Sequence, residues 1–126
     1  MTLNEYENLA MRTNDGSCCD KILEAINLYD STLPLDVDPG ELLNGALGLT
    51  GEAGEVADMV KKHIFHKHQL DRFELVKELG DVCWYLALIC HALNVSLEEV
   101  MDLNVKKLKE RYPNGFSVEA SINRKM

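Results

Sequence analysis

Two pairs of acids stand at helical spacing in this chain, and their chemistry is that of hard metal ions. Glu52 and Glu55 lie three apart in Glu52-Ala53-Gly54-Glu55, and Glu78 and Asp81 lie three apart in Glu78-Leu79-Gly80-Asp81. Residues three apart on a helix sit about 60° from one another, so each pair shares a face. With Glu52 at zero, Leu49, Ala53, Val56, Ala57 and Val60 fall between roughly 40° and 140°, and Glu55 near about −60°. Counted from Glu78, the set Leu75, Leu79, Val82, Leu86 and Leu93 covers roughly 40° to 100°, with Asp81 again near about −60°. Both pairs therefore flank an apolar stripe at the same offset, and antiparallel packing of the two helices brings four carboxylates together at the edge of the core. Like charges raise one another's pKa, and a divalent cation relieves the conflict. Oxygen ligands without nitrogen or sulfur select Mg²⁺ or Mn²⁺ over zinc. The Glu-x-x-His pairs of iron bundles are absent. Two solvated helix faces rich in Glu and Asp are the plainer alternative; the equal offsets, and the glycine beside each second acid (Gly54 and Gly80), weigh against it.

Donors for an anionic ligand follow later in the chain. Asn104, Lys107 and Arg111 are spaced three and four apart, share a helix face, and are followed by Tyr112. A metal-bound phosphate needs such groups for its remaining oxygens. An ordinary solvated surface is the alternative, since Lys106, Lys109 and Glu110 are also charged. A second basic run, Lys61, Lys62, His63, His66, Lys67 and His68, closes the first acidic helix, where cations suit the helix C-terminus. Lys62 lies almost three turns beyond Glu52 on the same face, within reach of a phosphate. The three histidines of this run read as a solvated helix end rather than a transition-metal site.

These residues need long helices to position them, and the punctuation supplies them. A short amphipathic helix is expected over 3–12, capped by Thr2, with Leu3, Tyr6, Leu9 and Ala10 apolar. After a turn at 13–17, Asp20 opens a second helix through about Tyr29, with Ile22, Leu23, Ile26 and Leu28 apolar. The stretch Ser31–Gly40, with Pro34 and Pro39, reads as a loop. A long helix over 41–66, another over 71–93 capped by Asp71, and a last one opened by the capping box Ser96-Leu97-Glu98-Glu99 and ended before Pro113 complete the set. No alternating strand pattern, internal repeat or low-complexity segment occurs. Gly45, Gly48, Gly51 and Gly54 recur every third residue, each costing roughly 1 kcal/mol relative to Ala in a helix. Close approach of a neighbouring helix or a ligand would account for them; a broken helix start near Gly45 is the alternative. The fold class is all-α: an antiparallel helical bundle.

With 126 residues the chain fits one domain, and 46% apolar with 27% charged residues mark it as folded. Its formal charge of −8 argues against a nonspecific binder of nucleic acid polymers or anionic membranes. No window approaches the roughly 18 uninterrupted apolar residues of a membrane span, and Met1-Thr2-Leu3-Asn4-Glu5 lacks a signal-peptide pattern. Cys18 and Cys19 are adjacent, while Cys83 and Cys90 stand about 10 Å apart on one helix, beyond disulfide reach. Cys90 reads as core. A reducing, cytoplasmic setting is expected. The run Val82–Cys90 is apolar nearly all round, so its helix must be covered on most sides, more than so small a chain offers. Trp84 within it fits core or a subunit interface better than a stacking platform for a base.

The runs Gly48-Leu49-Thr50-Gly51-Glu52-Ala53-Gly54-Glu55-Val56 and Lys77-Glu78-Leu79-Gly80-Asp81-Val82 resemble the MazG-like nucleoside triphosphate pyrophosphohydrolases, of the all-α NTP pyrophosphatase superfamily. Asn104-Val105-Lys106-Lys107-Leu108-Lys109-Glu110-Arg111-Tyr112-Pro113 adds a third matching element, and the likeness spans roughly residues 41–116. It implies one MazG-like domain over 1–126: N-terminal helices and loop over 1–40, a catalytic helical core over 41–116, and a tail over 117–126. It implies hydrolysis of an NTP or dNTP to the monophosphate and pyrophosphate by water attack at the α-phosphorus. Glu52, Glu55, Glu78 and Asp81 would hold Mg²⁺, two or more ions spanning the triphosphate, with one acid doubling as base. Asn104, Lys107 and Arg111 would steady the phosphates and the leaving pyrophosphate. The resemblance also implies a homo-oligomer, dimer or tetramer, which completes the bundle. Residues 1–40 match nothing transferable, and Tyr6, Arg12 and Asn14 are the expected base and sugar contacts. Two other readings stay open: a non-catalytic metal-dependent nucleotide-binding module, and an oligomeric helical adaptor.

Overall fold

The computed structural model describes residues 1–27 and 32–124. Six α-helices and no strand occur among them: α1 (Leu3–Met11), α2 (Cys18–Ile26), α3 (Pro39–His66), α4 (Arg72–Ala92), α5 (Leu97–Arg111) and α6 (Val118–Ile122). Local chemistry sets most of the ends. Thr2 and Glu5 form a reciprocal capping box on α1, and Ser96 and Glu99 form one on α5. The Asp71 carboxylate accepts from Phe73 N–H at 2.8 Å and Glu74 N–H at 3.2 Å, capping α4.

Three boundaries differ from the sequence reading. Helix α3 begins at Pro39, not Glu41: Asp38 is the cap, and proline occupies the first turn, where its missing N–H costs nothing. Helix α2 spans Cys18–Ile26, not 20 to about 29: the Ser17 hydroxyl and N–H both donate to Asp15 and shape the entry without a capping bond, and Asn27, in extended conformation, ends the helix. A single-turn α6, capped by Ser117 accepting from Ala120 N–H at 3.0 Å, occupies part of the expected tail. Leu28, Tyr29 and Ser31, read as the end of the second helix and the start of the loop, lie outside the described residues, as do Lys125 and Met126.

Helices α3 and α4 form the one extended packing, an antiparallel hairpin turned at Lys67, which adopts the left-handed conformation with φ 61°. Its register is read from cross-helix neighbours. Asp38 N–H donates to the Ala92 carbonyl at 2.9 Å, and His91 Nδ1 meets the Glu41 carboxylate at 2.6 Å. Further along, Gly45 faces Ile89 and Gly48 faces the Tyr85 ring. A Cβ on Gly45 would stand 2.6 Å from Ile89 Cγ1, and one on Gly48 would overlap the Tyr85 ring. Close approach of a neighbouring helix is thus the reason for these two glycines. Helix α3 runs unbroken through both, against the alternative of a broken start near Gly45. Gly51, Gly54 and Gly80 meet nothing within 4 Å.

The remaining helices are attached lightly. Helices α2 and α5 each touch the hairpin over a few residues, and α5 leaves α4 at 99°. Buried apolar residues among those described are Val37, Cys90 and Ala92, all at the end of the hairpin where the 32–38 loop folds back. The apolar stripe beside the acids is only half covered, with Val60, Leu79 and Leu93 exposed. Trp84 is 59% exposed and so is not core within one chain. The chain exposes 10610 Å², against about 6,800 Å² expected of a compact monomer of its mass. No single described helix is long and apolar enough to cross a membrane.

Candidate active site

The hairpin register that sets Gly48 against Tyr85 carries Glu52 and Glu55, one turn and two turns further, to the level of Asp81 and Glu78. Carboxylate oxygens of Glu52, Glu55 and Glu78 all lie within 4.8 Å of one another. Asp81 stands beside them: it lines an open cleft of about 410 Å³ with Glu52, Trp84 and Tyr85. Glu52 is half-buried. Its carboxyl is held above the ordinary range, first by partial desolvation, then by the negative charges of Glu55, Asp81 and Glu78, with a hydrogen bond to Glu78 adding to the rise. The charge contribution to this rise, second to desolvation, comes from the crowding of acids anticipated from their spacing.

The nearby cations are engaged elsewhere. Lys62 Nζ binds the Asp58 carboxylate at 2.6 Å, and Lys61 reaches the same group at 3.5 Å. Asp58 holds the Lys62 ammonium above its usual range, and Glu55 adds to this from a turn and more away. Lys77 pairs with Glu74 at 2.7 Å. Among the described residues, no ion pair neutralises Glu52, Glu55, Glu78 or Asp81. An all-oxygen cluster converging this closely, with one proton affinity already raised, fits a hard divalent cation.

The other expected contacts are not gathered at the acids. Asn104, Lys107 and Arg111 ride on α5, and Tyr112 caps its end, its ring 5.5 Å from that of Phe116 and 6.0 Å from the Arg111 guanidinium. No residue of α5 lines the acidic cleft. Tyr6, Arg12 and Asn14 are exposed on and after α1, which has no substantial packing against α3 or α4. His63 is held by the His68 carbonyl at 2.8 Å, and no three metal-binding groups converge there among the described residues. Tyr85 lines the cleft and was not anticipated there; its place one turn after Asp81 was the available signal.

The model of the MazG nucleotide pyrophosphohydrolase domain matches residues 42–116, more than half of the chain. The chain belongs to that family, and the matched segment holds all four acids and the whole of α5. It is 42% identical over 82 residues to the Gene 37 protein of Mycobacterium phage L5, covering 62% of this chain and 72% of that protein. It is 33% identical over 73 residues to the uncharacterized protein YvdC of Bacillus subtilis (strain 168), covering 51% and 69%. Neither name states an activity. No solved structure matches.

Proposed function

We propose that the protein is a Mg²⁺-dependent nucleoside triphosphate pyrophosphohydrolase, converting an NTP or dNTP to the monophosphate and pyrophosphate in nucleotide-pool control. The observation that carries this reading is the convergence of Glu52, Glu55 and Glu78 within 4.8 Å, with Asp81 alongside and no protein cation to balance them. These four acids would hold Mg²⁺, or Mn²⁺ in its place, which when bound offsets phosphate charge and acidifies water. The carboxylates also fix where the α-phosphorus sits relative to the attacking water, and one of them accepts the proton that this water loses. As the new P–O bond forms, the bond from the α-phosphorus to its bridging oxygen breaks, and pyrophosphate leaves with the electron pair. Asn104, Lys107 and Arg111 donate to the phosphate oxygens as negative charge grows on the leaving group. Lys62 reaches the same phosphates by exchanging Asp58 for them.

The uncovered apolar area supports a homo-oligomer, dimer or tetramer. The free thiols of Cys18, Cys19, Cys83 and Cys90 suit a reducing cytoplasm. Residues 1–40 are the part of the single domain left for reading base and sugar. The test is incubation with each canonical NTP and dNTP, plus dUTP and 8-oxo-dGTP, with and without Mg²⁺, resolving products by ion exchange. Monophosphate and pyrophosphate formed only with metal are the expected products. Diphosphate with orthophosphate would place attack at the terminal phosphorus and overturn the mechanism.

A further inference from the structure

Resting on that reading of the acid cluster, we infer that Asp58 stands in for the substrate's outer phosphates: it holds Lys61 and Lys62 one turn beyond the acids, and only a phosphate chain that reaches past the cluster displaces it. Asp58 is thereby a positioning residue that sets the affinity for triphosphate over monophosphate. The placement follows from helix geometry. Lys62 lies seven residues after Glu55 on α3, two turns on and about 20° round, in line with the cluster on the side of the hairpin turn. Helical side chains tilt toward the N-terminus, and Lys62 leans back to meet Asp58 Oδ2 at 2.6 Å, a turn beyond Glu55. Lys61 reaches Asp58 Oδ1 at 3.5 Å. Two ammoniums thus share the two oxygens of one carboxylate, as they would share two oxygens of a phosphate. The cluster is felt at Lys62 itself: Asp58 raises its pKa first, and Glu55 adds to the rise.

Three further observations mark a displaceable stand-in and not a fixed strut. First, Asp58 is the only acid between Glu55 and Asp71, in a stretch that carries Lys61, Lys62, Lys67 and three histidines. Without it, this end of α3 would be purely cationic. Second, Asp58 is charged at neutral pH, its pKa held below the ordinary carboxylate range first by the Lys62 hydrogen bond. A phosphate arriving at Lys62 therefore meets a like charge as well as a rival for the ammonium. Third, the pair is open. The Asp58 and Lys62 side chains are 43% and 45% exposed, so water screens their attraction and parting them costs little. Lys77, beside Glu78 on α4, is held twice, by Glu74 at 2.7 Å and over the Phe73 ring at 5.3 Å, and is not poised in this way. A chain anchored by its α-phosphate at the acids presents its outer phosphates to Lys62 at high effective concentration and wins the exchange. A monophosphate ends at the cluster and leaves Asp58 in place. Once pyrophosphate has formed, Asp58 competes for the lysines again and hastens its departure.

The test separates phosphates by length. Asp58→Asn should lower KM for the triphosphate that wild type prefers by about two- to fivefold, the reach of a surface ion pair. Inhibition by pyrophosphate should tighten by a similar factor, and inhibition by the monophosphate should not move. Asp58→Glu, which keeps a carboxylate four residues before Lys62, should restore wild-type values. In a Lys61→Ala/Lys62→Ala background, adding Asp58→Asn should change neither KM nor pyrophosphate inhibition. An active Asp58→Asn with wild-type KM and pyrophosphate inhibition, or with a raised KM, overturns the inference and leaves the proposed function standing. A monophosphate that gains as much as pyrophosphate does the same. If wild type turns over no nucleotide, the proposed function falls and binding decides: each protein is titrated with inorganic tripolyphosphate in Mg²⁺ by calorimetry. Tighter binding by Asp58→Asn, lost on removing both lysines, is the expected result. Equal or weaker binding by Asp58→Asn, no binding by either protein, or a gain that survives without the lysines overturns the inference.

Discussion

Carboxylate oxygens crowded at one level of the hairpin are stable only when something removes their mutual repulsion. Glu52 shows this most clearly, its carboxyl raised above the ordinary range first by partial desolvation and then by the charges of Glu55, Asp81 and Glu78. Glu52→Gln, Glu55→Gln, Glu78→Gln and Asp81→Asn should each lower kcat/KM by more than about 100-fold while helical circular dichroism persists, because losing even an outer-shell partner of a metal ligand costs 10–100-fold. Lys107→Ala or Arg111→Ala alone should cost less; activity equal to wild type would remove their phosphate role. The same logic reaches stability. Without divalent metal, Glu52→Gln should melt above wild type near neutral pH, and the rise in Tm that Mg²⁺ gives wild type should shrink in the variant; an unchanged rise would remove Glu52 from the metal site. At this scale the sequence was informative for a geometric reason. Residues three apart share a helix face whatever the tertiary structure, so the acid pairs could be named from spacing alone. Whether Lys107 and Arg111 meet those acids depends on the turn between Leu93 and Ser96, and helical periodicity holds no record of a 99° departure.

Between elements, the hairpin depends on small residues at two positions and on an ion pair at one end. Gly48→Ala should lower stability by about 1–3 kcal/mol, since overpacking against Tyr85 outweighs a helix-propensity gain of about 1 kcal/mol. Gly54→Ala meets open space and should gain about that propensity if the face stays bare. Thermal melts of the two variants separate the cases, and a destabilised Gly54→Ala would show that the assembly presses on this face. His91 on α4 donates to Glu41 in the first turn of α3, and the carboxylate raises the imidazole's pKa. A raised folded-state value means stabilisation that is fully present below the ordinary histidine range and lost as pH rises through the folded value. The melting difference between wild type and His91→Gln should therefore be largest near pH 5.5 and fade toward pH 8.5; a constant difference would exclude the ion pair as its cause. Helix existence and most caps were legible because Thr2, Asp71, Ser96 and Glu99 act on their own neighbours. The start of α3 was misread because proline excludes a helix interior but suits a first turn. Close packing could be expected from the glycine repeat, but only the structure separates Gly45 and Gly48, pressed on α4, from Gly51 and Gly54, which face outward.

For the whole molecule, area is the governing quantity. Exposure of 10610 Å² by a 14.2 kDa chain leaves apolar faces on every helix without cover, among them Leu3 and Leu9 on α1, Ile22 on α2, Phe73 on α4 and Ile122 on α6. Sedimentation equilibrium should give a multiple of 14.2 kDa, and Tm should rise with protein concentration. Trp84 should emit as a buried indole and resist iodide quenching; emission typical of water would mean that its face stays bare in solution. The apolar run around Trp84 announced that α4 needs covering, yet composition cannot say by what, since an inner core and a subunit contact draw on the same residues. If the chain assembles as proposed, a private core of little beyond Val37, Cys90 and Ala92 among the described residues would tie its survival to its own abundance. A newly made copy without a mate would then hold its helices only briefly and be open to proteases, so output should climb more steeply than gene dose, and a few copies should amount to almost no folded protein.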